Sequence, residues 1–473
     1  MKTLFLLVIL LTGTLSAQSW SVVEPAFPVE GAPGERVLVR LNGPPGREAY
    51  LKVAGDTGTT PLTEPSEGHY QAEVFTPWNG SGALLLVELG GEQKNLGKLT
   101  GKLRQWSFTA PAEMVTRQGP HPDYDRLTPL YQGQKVTVDG VRGDWYRCRE
   151  SGTWVDARKS PELEPSPLPP NRLNRILIEE SAEGDALLTL EMSRCPEVQV
   201  SQQGQVLTVT LYDTYQTNFD IKRPTGVADF LGPLTLTPQP QPRAVTLKLY
   251  SADFCGYQLQ PDAESGSLKL MVRKPLPRSL KGLKITLDAG HGGPKDKGTV
   301  GHGGLPEKEL NLRVAKALAK KLRRLGAEVV MTRTVDTDVA SLGSQDGSEL
   351  QARVDRSIEA GSRLFLSLHH NARPEVSEGK VYHGTDVYWY QPHSQTLARA
   401  LADPVANAVD EPLRSFRWRS FYVIRQTHSP AVLIEFQYLS NPALERSVLD
   451  RPGYPEKAAE GVVNGLVRYL SGE

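Results

Sequence analysis

Short apolar runs separated by turn residues fill the first part of the chain, and longer helical patterns begin after residue 283. Within residues 18–103, apolar and polar positions alternate in segments 36–41 and 70–75 and reappear in the apolar run 83–89. Alternation with period two is typical of strands that have one buried face. We therefore expect residues 18–103 to form a β-sandwich.

Two further modules with strand-like patterns follow. Residues 108–158 contain short apolar and aromatic segments, and residues 172–274 contain a second series of strand-like runs. Between them, residues 161–171 are so rich in proline that they predict a semi-rigid, extended linker. These patterns predict three β modules in a row: the β-sandwich at 18–103, a small module at 108–158 and a second β-sandwich at 172–274.

The pattern changes to α/β over residues 283–472. Five apolar runs alternate with helical stretches: 285–287, 329–331, 364–368, 387–390 and 432–436. The clearest helix spans residues 307–325, where apolar side chains recur every three or four positions, namely Leu310, Val314, Leu318, Leu322 and Leu325. Gly326 is placed to end this helix. Such alternation predicts a mostly parallel sheet flanked by helices, with ligand sites at the carboxyl ends of its strands.

Length and charge limit the classes of function. A chain of 473 residues is long enough for about three or four domains. Lysine plus arginine and aspartate plus glutamate both total 54, so the net charge is zero. No overall field attracts the chain to nucleic acid or to an anionic membrane. We expect neither as a partner.

The first residues are typical of a signal peptide. Lys2 precedes an apolar run at residues 4–11, and small residues lead to a cleavage position after Ala17. A bilayer core of about 30 Å requires about 20 apolar residues in a helix, so this run is too short to span it. We expect removal of residues 1–17, export to the periplasm or to the extracellular cell wall, and no membrane span afterwards. A retained N-terminal anchor is the alternative.

Three cysteines become relevant in an exported protein. Cys195 and Cys255 fall in the same predicted module, whereas Cys148 lies in the preceding one. A Cys195–Cys255 disulfide and three buried free thiols are both compatible with the sequence. No Cys-x-x-Cys spacing indicates a metal site.

Candidate residues for chemistry lie in or next to three predicted strands of the α/β domain. His291 follows the first strand on a glycine-flanked turn, the pair His369 and His370 ends another, and Glu435 lies inside an apolar strand. A glutamate in such a position is rarely buried without a partner or a function. Seven of the nine histidines lie in this domain, and the pattern does not choose among them: His291, His302, His369, His370, His383, His393 and His428.

A series of motifs follows along residues 283–472, namely Asp288-Ala-Gly-His-Gly-Gly293, Glu307-Lys-Glu-Leu-Asn-Leu312, Thr332-Arg333, Ser367-Leu-His-His-Asn-Ala372 and Val432-Leu-Ile-Glu-Phe-Gln-Tyr-Leu-Ser-Asn441. In identity and order, these motifs resemble those of the zinc-dependent N-acetylmuramoyl-L-alanine amidases of the Amidase_3 family.

The resemblance implies roles for six residues. His291, Glu307 and His369 would bind Zn²⁺, and Glu435 would be the general base. Asn371 and Arg425 are candidate substrate contacts, although capping of a strand or helix explains them equally well. The implied substrate is peptidoglycan, cleaved at the amide between the lactyl group of N-acetylmuramic acid and L-alanine.

Weaker resemblances concern the upstream modules. Residues 108–158 resemble a bacterial SH3-like barrel that binds cell-wall peptides, and the aromatic side chains Trp145, Tyr146 and Trp154 would form either a peptide groove or the barrel core. Residues 172–274 are similar in length and position to the AMIN domain of cell-wall amidases. An immunoglobulin-like arrangement is one option for residues 18–103.

Two departures from the amidase pattern affect the expected function. The family's Glu-Thr-Gly-Phe is replaced by Glu435-Phe-Gln-Tyr438, which places bulkier residues beside the expected base. Residues 391–419 are too few for the helical insert that covers the zinc in some relatives, so we expect an uncovered site. The alternatives are a non-catalytic cell-wall-binding protein that retains the amidase fold, and a zinc hydrolase of another cell-wall amide.

Overall fold

The computed structural model describes residues 20–472 except 32–35, 55–57, 78–81, 102–105, 160–162, 165–167, 170, 220, 222, 241, 341–347 and 374–381. The predicted signal peptide, residues 1–17, and much of the predicted linker at 161–171 lie outside the described residues. The chain divides into two compact units, one ending at Pro169 and the other beginning at Pro170.

Nine strands in two sheets form the first module of the first unit. The strands are β1 (Ser21–Glu24), β2 (Val29–Gly31), β3 (Arg36–Asn42), β4 (Ala49–Val53), β5 (Thr60–Pro61), β6 (Thr63–Ser66), β7 (His69–Phe75), β8 (Gly82–Leu89) and β9 (Glu92–Gly101). The sheets have the orders β1-β3-β7-β6 and β2-β9-β8-β4-β5. Alternate residues of β3, such as Val39, and of β8, such as Leu85, share one buried cluster. The period-two pattern therefore marks the face that each sheet buries.

A single five-stranded sheet forms the second module of this unit. Its strands are β10 (Trp106–Thr109), β11 (Thr116–Arg117), β12 (Lys135–Arg142), β13 (Trp145–Cys148) and β14 (Trp154–Asp156), in the order β10-β12-β13-β14-β11. A 3₁₀ turn, Ala157–Lys159, follows. Trp154 is buried, whereas Trp145 and Tyr146 are partly exposed. Of the three aromatic residues proposed for a groove, Trp154 is therefore a core residue.

The second unit begins with nine strands in two sheets. They are β15 (Asn171–Glu180), β16 (Ala186–Met192), β17 (Val198–Gln203), β18 (Val206–Tyr212), β19 (Thr214–Gln216), β20 (Leu231–Pro240), β21 (Arg243–Ser251), β22 (Tyr257–Asp262) and β23 (Ser267–Val272). The orders are β19-β15-β16-β23-β22 and β17-β18-β21-β20. We refer to residues 171–272 as the β module of the second unit.

The cysteines of the β module are not paired with each other. Cys195 and Cys255 are buried and form no disulfide with each other, and Cys148 in the first unit is buried as well. Burial raises the pKa of Cys255 to about 11, which keeps this thiol protonated and unreactive at neutral pH. The structure therefore lacks the Cys195–Cys255 disulfide.

A six-stranded mixed sheet with helices forms the rest of the second unit. Its strands are β24 (Lys284–Ala289), β25 (Glu328–Met331), β26 (Leu364–Asn371), β27 (Thr385–Trp389), β28 (Leu413–Trp418) and β29 (Ala431–Tyr438), in the order β25-β24-β26-β29-β27-β28. The helices are α1 (Glu307–Arg324), α2 (Ser348–Glu359), α3 (Gln395–Ala408), α4 (Tyr422–Gln426), α5 (Pro442–Leu444) and α6 (Tyr454–Ser471). A 3₁₀ turn, Pro392–Ser394, precedes α3, and a π-helical turn, Glu445–Leu449, follows α5.

Strand direction in this sheet places one set of ends together. β25, β24, β26 and β29 pair in parallel, and β27 runs antiparallel to β29. The carboxyl ends of β24, β26 and β29 therefore lie at the same edge as the start of β27. We call this edge the site edge.

Helix α1 shows how the sequence pattern determines packing. Leu310, Val314, Leu318 and Leu322 are fully buried and face the sheet, as their spacing predicts. Leu325, by contrast, is 48% exposed, and the helix ends at Arg324. The expected stripe was therefore one residue too long, because Gly326 (φ +84°) ends the last turn before Leu325 can point inward.

Residues 391–419 form α3 and β28, and α3 packs against α6. Among the described residues, no helix combines the length and apolar character required to cross a membrane.

A buried carboxylate joins the β module to the α/β domain. Asp185 accepts hydrogen bonds from Arg273 (3.2 Å), from the backbone N–H of Lys274 (2.8 Å) and from Arg363 (2.6 Å). Asp185 and Arg273 are both almost fully buried. Arg363 immediately precedes β26, so this network lies at the edge of the sheet opposite the site edge.

We predict that Asp185→Ala lowers the free energy of unfolding of the second unit by about 3 kcal/mol, because it leaves two arginines without their shared anion. Native-state hydrogen exchange of β16 and β26 in the full chain measures this loss. Glu179→Ala, which removes an exposed carboxylate from β15, is the control and should change exchange little. Unchanged protection in Asp185→Ala would show that this network does not couple the β module to the sheet.

Candidate metal centre

Three of the predicted site residues converge at the site edge. His291 lies just beyond β24, His369 lies near the end of β26, and Glu307 is the first residue of α1. One ligand atom from each of these side chains can be chosen so that all three atoms lie within 4.8 Å of one another. The imidazole rings of the two histidines meet edge to face, with centroids 4.9 Å apart.

The carboxylate of Glu307 is the buried centre of this group. Its Oε1 lies 3.2 Å from Nε2 of His291 and 3.1 Å from Nδ1 of His369. Burial by itself would raise the pKa of Glu307, but the hydrogen bonds and charges of the two histidines outweigh it and hold that pKa well below its usual range. The carboxylate is therefore anionic at neutral pH and faces two nitrogen donors.

Backbone and amide groups fix the Glu307 carboxylate from its other sides. The N–H of Thr299 donates to Oε2 (3.0 Å), and the N–H of His370 donates to Oε1 (3.2 Å). The side-chain amide of Asn311, one turn along α1, also donates to Oε1 (3.3 Å). These donors leave the carboxylate little freedom to rotate.

His291 is held in a strained backbone conformation. Its φ of +59° lies in the left-handed region, which non-glycine residues rarely adopt. Arg353 stabilises this turn by donating to the carbonyl oxygen of His291 (3.0 Å). Nδ1 of His291 lies 2.6 Å from a carboxylate oxygen of Asp296, so Nε2 is the nitrogen that faces Glu307. An outer carboxylate of this kind is typical of metal-binding histidines.

His369 occupies space that a glycine leaves open. A Cβ atom at Gly290 would lie 2.2 Å from the His369 ring, so any other residue at position 290 would displace the imidazole. The His369 ring is therefore held between the backbone of Gly290 on one side and the carboxylate of Glu307 on the other.

His370 lies on the other side of β26, as strand alternation predicts. It is fully buried, with Nδ1 2.7 Å from the Asn311 side chain and Nε2 2.9 Å from the Tyr454 hydroxyl. Burial lowers the pKa of His370 to about 3, so this imidazole is neutral. Both of its nitrogens already have protein partners, which makes it a structural residue.

Asp288 is a buried anion beneath the site. It accepts from Arg353 (2.7 Å), from the Ser367 hydroxyl (2.7 Å) and from the Thr332 hydroxyl (2.9 Å). Burial raises the pKa of Asp288, but the charge of Arg353, together with that of His369 and these hydrogen bonds, outweighs burial and lowers it below the usual range. The network ties β24, β26 and α2 together directly below His291 and His369.

Glu435 lies beside the three-residue group and has a different environment. It pairs in register with His369 on β26 and with Asp386 on β27. Its Oε2 is shielded from solvent and has no hydrogen-bond partner within the described part of the chain. Burial, then the negative charges of Glu307 and Asp386, raise the pKa of Glu435 well above its usual range.

Asp386 is a site residue that the sequence pattern did not identify. It is fully buried and accepts from Arg414 (3.0 Å), from the Tyr438 hydroxyl (3.1 Å) and from the Asn371 amide (3.1 Å). Glu435 stands inside an apolar run, whereas Asp386 directly precedes one. The predicted run begins at Val387, two residues after the observed start of β27 at Thr385.

The two candidate substrate contacts lie in different places. Asn371 ends β26 at the site edge and donates to Asp386. Arg425 is in α4 and donates to the carbonyl and hydroxyl oxygens of Ser420. The backbone oxygen of Arg425 accepts from the Gln391 side chain (3.1 Å), which follows the carboxyl end of β27 and so lies away from the site edge. The structure therefore brings Asn371, and not Arg425, to the site edge.

The residues after Glu435 pack inside the domain. Phe436 lies against the His370 ring, the Gln437 side chain donates to the Val409 carbonyl oxygen (2.8 Å), and the Tyr438 hydroxyl donates to Asp386. Their bulk therefore fills the core around Glu435.

The remaining histidines of the domain are not part of the three-residue group. His302 is exposed on the loop before α1, and His383 lies 3.0 Å from Glu411. His393 and His428 are largely buried near the β module, and burial lowers their pKa values to about 3 and about 4. Of the seven histidines, His291 and His369 are the two that join Glu307.

The donor set fits a catalytic zinc ion. Two imidazole nitrogens and one carboxylate oxygen are a common ligand set for such sites, with a fourth position left for water or substrate. The anionic Glu307 between two nitrogen donors supplies the negative charge that a divalent cation requires.

Comparisons with known proteins concern the part of the chain that carries this site. Residues 285–468 match the Amidase_3 family, described as N-acetylmuramoyl-L-alanine amidase. The germination-specific N-acetylmuramoyl-L-alanine amidase of Bacillus subtilis (strain 168) is 34% identical over 206 residues, which are 42% of this chain and 84% of that protein. The N-acetylmuramoyl-L-alanine amidase LytC of the same organism is 33% identical over 198 residues, 42% of this chain and 38% of that protein. Residues 1–284 and 469–473 lie outside the family match.

A solved structure also aligns with this part of the chain. The catalytic domain of CwlV, an N-acetylmuramoyl-L-alanine amidase from Bacillus (Paenibacillus) polymyxa var. colistinus, is 32% identical, with a TM-score of 0.35. The alignment covers 40% of this chain and 99% of that domain.

We predict that Asp288→Asn destabilises the second unit by about 3 kcal/mol at pH 7, because Arg353 loses its buried anion. The lowered pKa of Asp288 means that its carboxylate contributes fully above the unfolded-state pKa of about 3.9 and that this contribution is lost as the pH falls through the lower folded-state pKa. The difference between the variant and the wild type should therefore shrink below about pH 4.

Hydrogen exchange of β24 and β26 between pH 7 and pH 3 measures this difference, after correction for the intrinsic exchange rates. Asp403→Asn, at an exposed position of α3, is the control. A difference that is constant over the whole range would contradict an ionised Asp288.

Proposed function

Since the chain belongs to the N-acetylmuramoyl-L-alanine amidase family through residues 285–468, we propose that it is a zinc-dependent hydrolase of peptidoglycan. The proposed reaction cleaves the amide between the lactyl group of N-acetylmuramic acid and L-alanine. The observation that carries the proposal is the group His291, Glu307 and His369, with Glu435 beside it, whose Oε2 has no hydrogen-bond partner among the described residues.

His291, Glu307 and His369 are the proposed zinc ligands. A neighbouring residue holds each of them in place. Asp296 lies within hydrogen-bond distance of His291, Asn311 donates to Glu307, and the backbone of Gly290 packs against the His369 ring. Such support fixes the ligand geometry before a metal binds. Zinc in this position supplies Lewis acidity for the scissile carbonyl and lowers the pKa of a water to about 7.

Glu435 is the proposed general base. Its Oε2 has no hydrogen-bond partner among the described residues, so this oxygen is not committed to a structural bond. Burial and the neighbouring negative charges raise the pKa of Glu435, which makes its carboxylate a stronger base than an ordinary glutamate and favours a group that accepts a proton from the attacking water and returns it to the leaving amine. Glu307 and Glu435 are therefore two carboxyl groups whose pKa values are pushed apart, and that difference favours two different roles.

Asn371 and Arg425 remain proposed substrate contacts with unequal support. Asn371 lies at the site edge within hydrogen-bond distance of Asp386. Arg425 is engaged with Ser420 and lies over the Tyr422 ring. The structure therefore supports Asn371 more strongly.

The upstream modules are proposed to place the enzyme on the cell wall. The five-stranded sheet of residues 106–156 is the proposed SH3-like domain, and the β module of the second unit is the proposed AMIN-like domain. Export by the predicted signal peptide would bring the enzyme to the periplasm or to the extracellular cell wall. Its substrate is found there.

A non-catalytic wall-binding protein and a zinc hydrolase of another wall amide are the alternatives. A binding protein has no need of a glutamate beside a metal site with a shielded oxygen that finds no hydrogen-bond partner among the described residues, since such a group destabilises the fold. The chemical identity of the new chain ends distinguishes hydrolysis of the proposed lactyl–alanine amide from hydrolysis of another cell-wall amide.

We expect the purified full chain to free peptides with a new N-terminal alanine from purified peptidoglycan in the presence of zinc. After treatment with a chelator it should free none. End-group analysis of the digest measures both the new amine and any new glycan reducing end. Reducing ends, or the N-terminus of another residue in place of alanine, would contradict the proposed bond.

Glu435→Gln should retain one zinc per chain while its turnover falls by about 100-fold to 10,000-fold, because the amide cannot accept the proton of the water. Metal analysis measures the zinc content, and the assay for new N-terminal alanine measures the turnover of the same sample. Glu328→Gln replaces an exposed carboxylate on β25 and should leave both values unchanged. Full activity of Glu435→Gln would exclude the proposed base.

His369→Ala should weaken zinc binding by more than about 100-fold, the upper range for residues that merely support a ligand. The exposed His302→Ala is the matched control and should bind zinc like the wild type. Competition with a chromogenic chelator measures both affinities. Equal affinities would remove His369 from the ligand set.

A further inference from the structure

Glu445 is a buried carboxylate that the proposed mechanism does not use. It lies at the start of the π-helical turn after β29 and is 2% exposed. Its Oε2 accepts from the backbone N–H of Gly303 (2.6 Å), and its Oε1 accepts from the backbone N–H of Leu305 (3.1 Å). Both donors are about 140 residues earlier in the chain, so Glu445 joins two distant segments.

The segment that Glu445 holds is a small hairpin, residues 297–308, which leads into α1. Its base is closed by backbone hydrogen bonds from Glu307 to the Thr299 oxygen (2.8 Å) and from Gly301 to the Leu305 oxygen (2.9 Å). At the tip, the backbone N–H of Gly304 donates to the carbonyl oxygen of Gly301 (3.0 Å). The base carries the proposed zinc ligand Glu307, and the tip carries the two N–H groups bound by Glu445.

Local capping does not explain Glu445. The helical segment that contains it is already capped by Asn441, whose side-chain oxygen accepts from Ala443 (3.1 Å) and from Leu444 (3.3 Å). The carboxylate of Glu445 instead points back to the hairpin tip. A charged acceptor shared by two N–H donors is a strong anchor.

Two glycines of the tip have the Glu445 carboxylate directly beside them. A Cβ atom at Gly301 would lie 2.4 Å from this carboxylate, and one at Gly303 would lie 3.0 Å from it. The close approach at Gly301 therefore requires a glycine as long as Glu445 is present.

The hairpin forms one wall of a cleft near the metal centre. Hairpin residues 299–302 line this wall, and Ala372, Arg373 and Ser440 line the other, around a volume of about 540 Å³. The first wall begins at Thr299, which donates to Glu307, and the second follows His369 and Asn371 along the chain. Substrate bound across the site edge would enter this cleft.

We propose that Glu445 is a positioning residue that fixes the hairpin tip as a wall of the substrate cleft. The inference rests on the proposed amidase function for its kinetic part. Loss of Glu445 frees the tip, whereas Glu307 keeps its own bonds to His291, His369 and Asn311. The cleft therefore loses its shape while the metal centre persists.

The first test measures the anchor without any reference to catalysis. In Glu445→Ala, the amides of Gly303 and Leu305 should exchange with deuterium at least about tenfold faster than in the wild type. Zinc stoichiometry should remain unchanged. Glu456→Ala, at an exposed position in the first turn of α6, is the control and should leave both exchange rates as they are. Unchanged exchange in Glu445→Ala would overturn the anchor, whether or not the chain is an amidase.

The second test separates positioning from catalysis. Glu445→Ala should raise KM for a soluble muropeptide about tenfold and change kcat by less than about twofold. Glu445→Gln should be intermediate, because its amide oxygen still accepts from one N–H while its NH₂ group opposes the other. A fall in kcat with an unchanged KM would contradict a positioning role, and so would an unchanged KM and kcat.

A double-mutant cycle identifies the contact itself. Gly301→Ala alone should raise KM about as much as Glu445→Ala, because the added methyl group displaces the carboxylate. In the Glu445→Ala background the same methyl group meets no carboxylate, so the double variant should have the KM of Glu445→Ala. KM increases that multiply in the double variant would show that Gly301 and Glu445 act independently, and would overturn the proposal.

Discussion

The anionic carboxylate of Glu307, buried between the imidazoles of His291 and His369, is the interaction on which the rest of the site depends. An ionised carboxylate is costly to bury unless charged or hydrogen-bonding groups surround it. Parallel strands supply those groups at one edge, because β24 and β26 end side by side and α1 begins across from them. The left-handed turn at His291 then aims its ring back at the carboxylate, at a cost that the hydrogen bond from Arg353 offsets.

A second carboxylate at the same edge, that of Glu435 on β29, lies in an environment that shifts its pKa in the opposite direction. Glu435 has a shielded oxygen that finds no partner in the described part of the chain, and the charges of Glu307 and Asp386 act on it, so its pKa rises where that of Glu307 falls. A divalent cation bound by Glu307 would relieve part of that repulsion. One edge of one sheet therefore holds a carboxylate suited to a metal and another suited to moving protons.

Much of this arrangement was predictable from the sequence, because it depends on periodicity and on polar residues inside apolar runs. The series of β strands followed by an α/β amidase domain is confirmed, and the positions of His291, His369 and Glu435 follow from strand ends. Periodicity cannot report contacts made between segments distant in sequence. Asp386 was missed because its role appears only when β27 pairs with β29, and the end of α1 was misjudged at Leu325 by a single residue.

Zinc-edge anomalous diffraction from crystals of the full chain grown with one equivalent of zinc tests the central claim most directly. The account predicts one strong peak in the α/β domain, about 2.0–2.2 Å from a nitrogen of His291, a nitrogen of His369 and a carboxylate oxygen of Glu307, with Glu435 near the ion but outside its ligand shell. A peak that is coordinated by Glu435 and Asp386, or by His370, would contradict it.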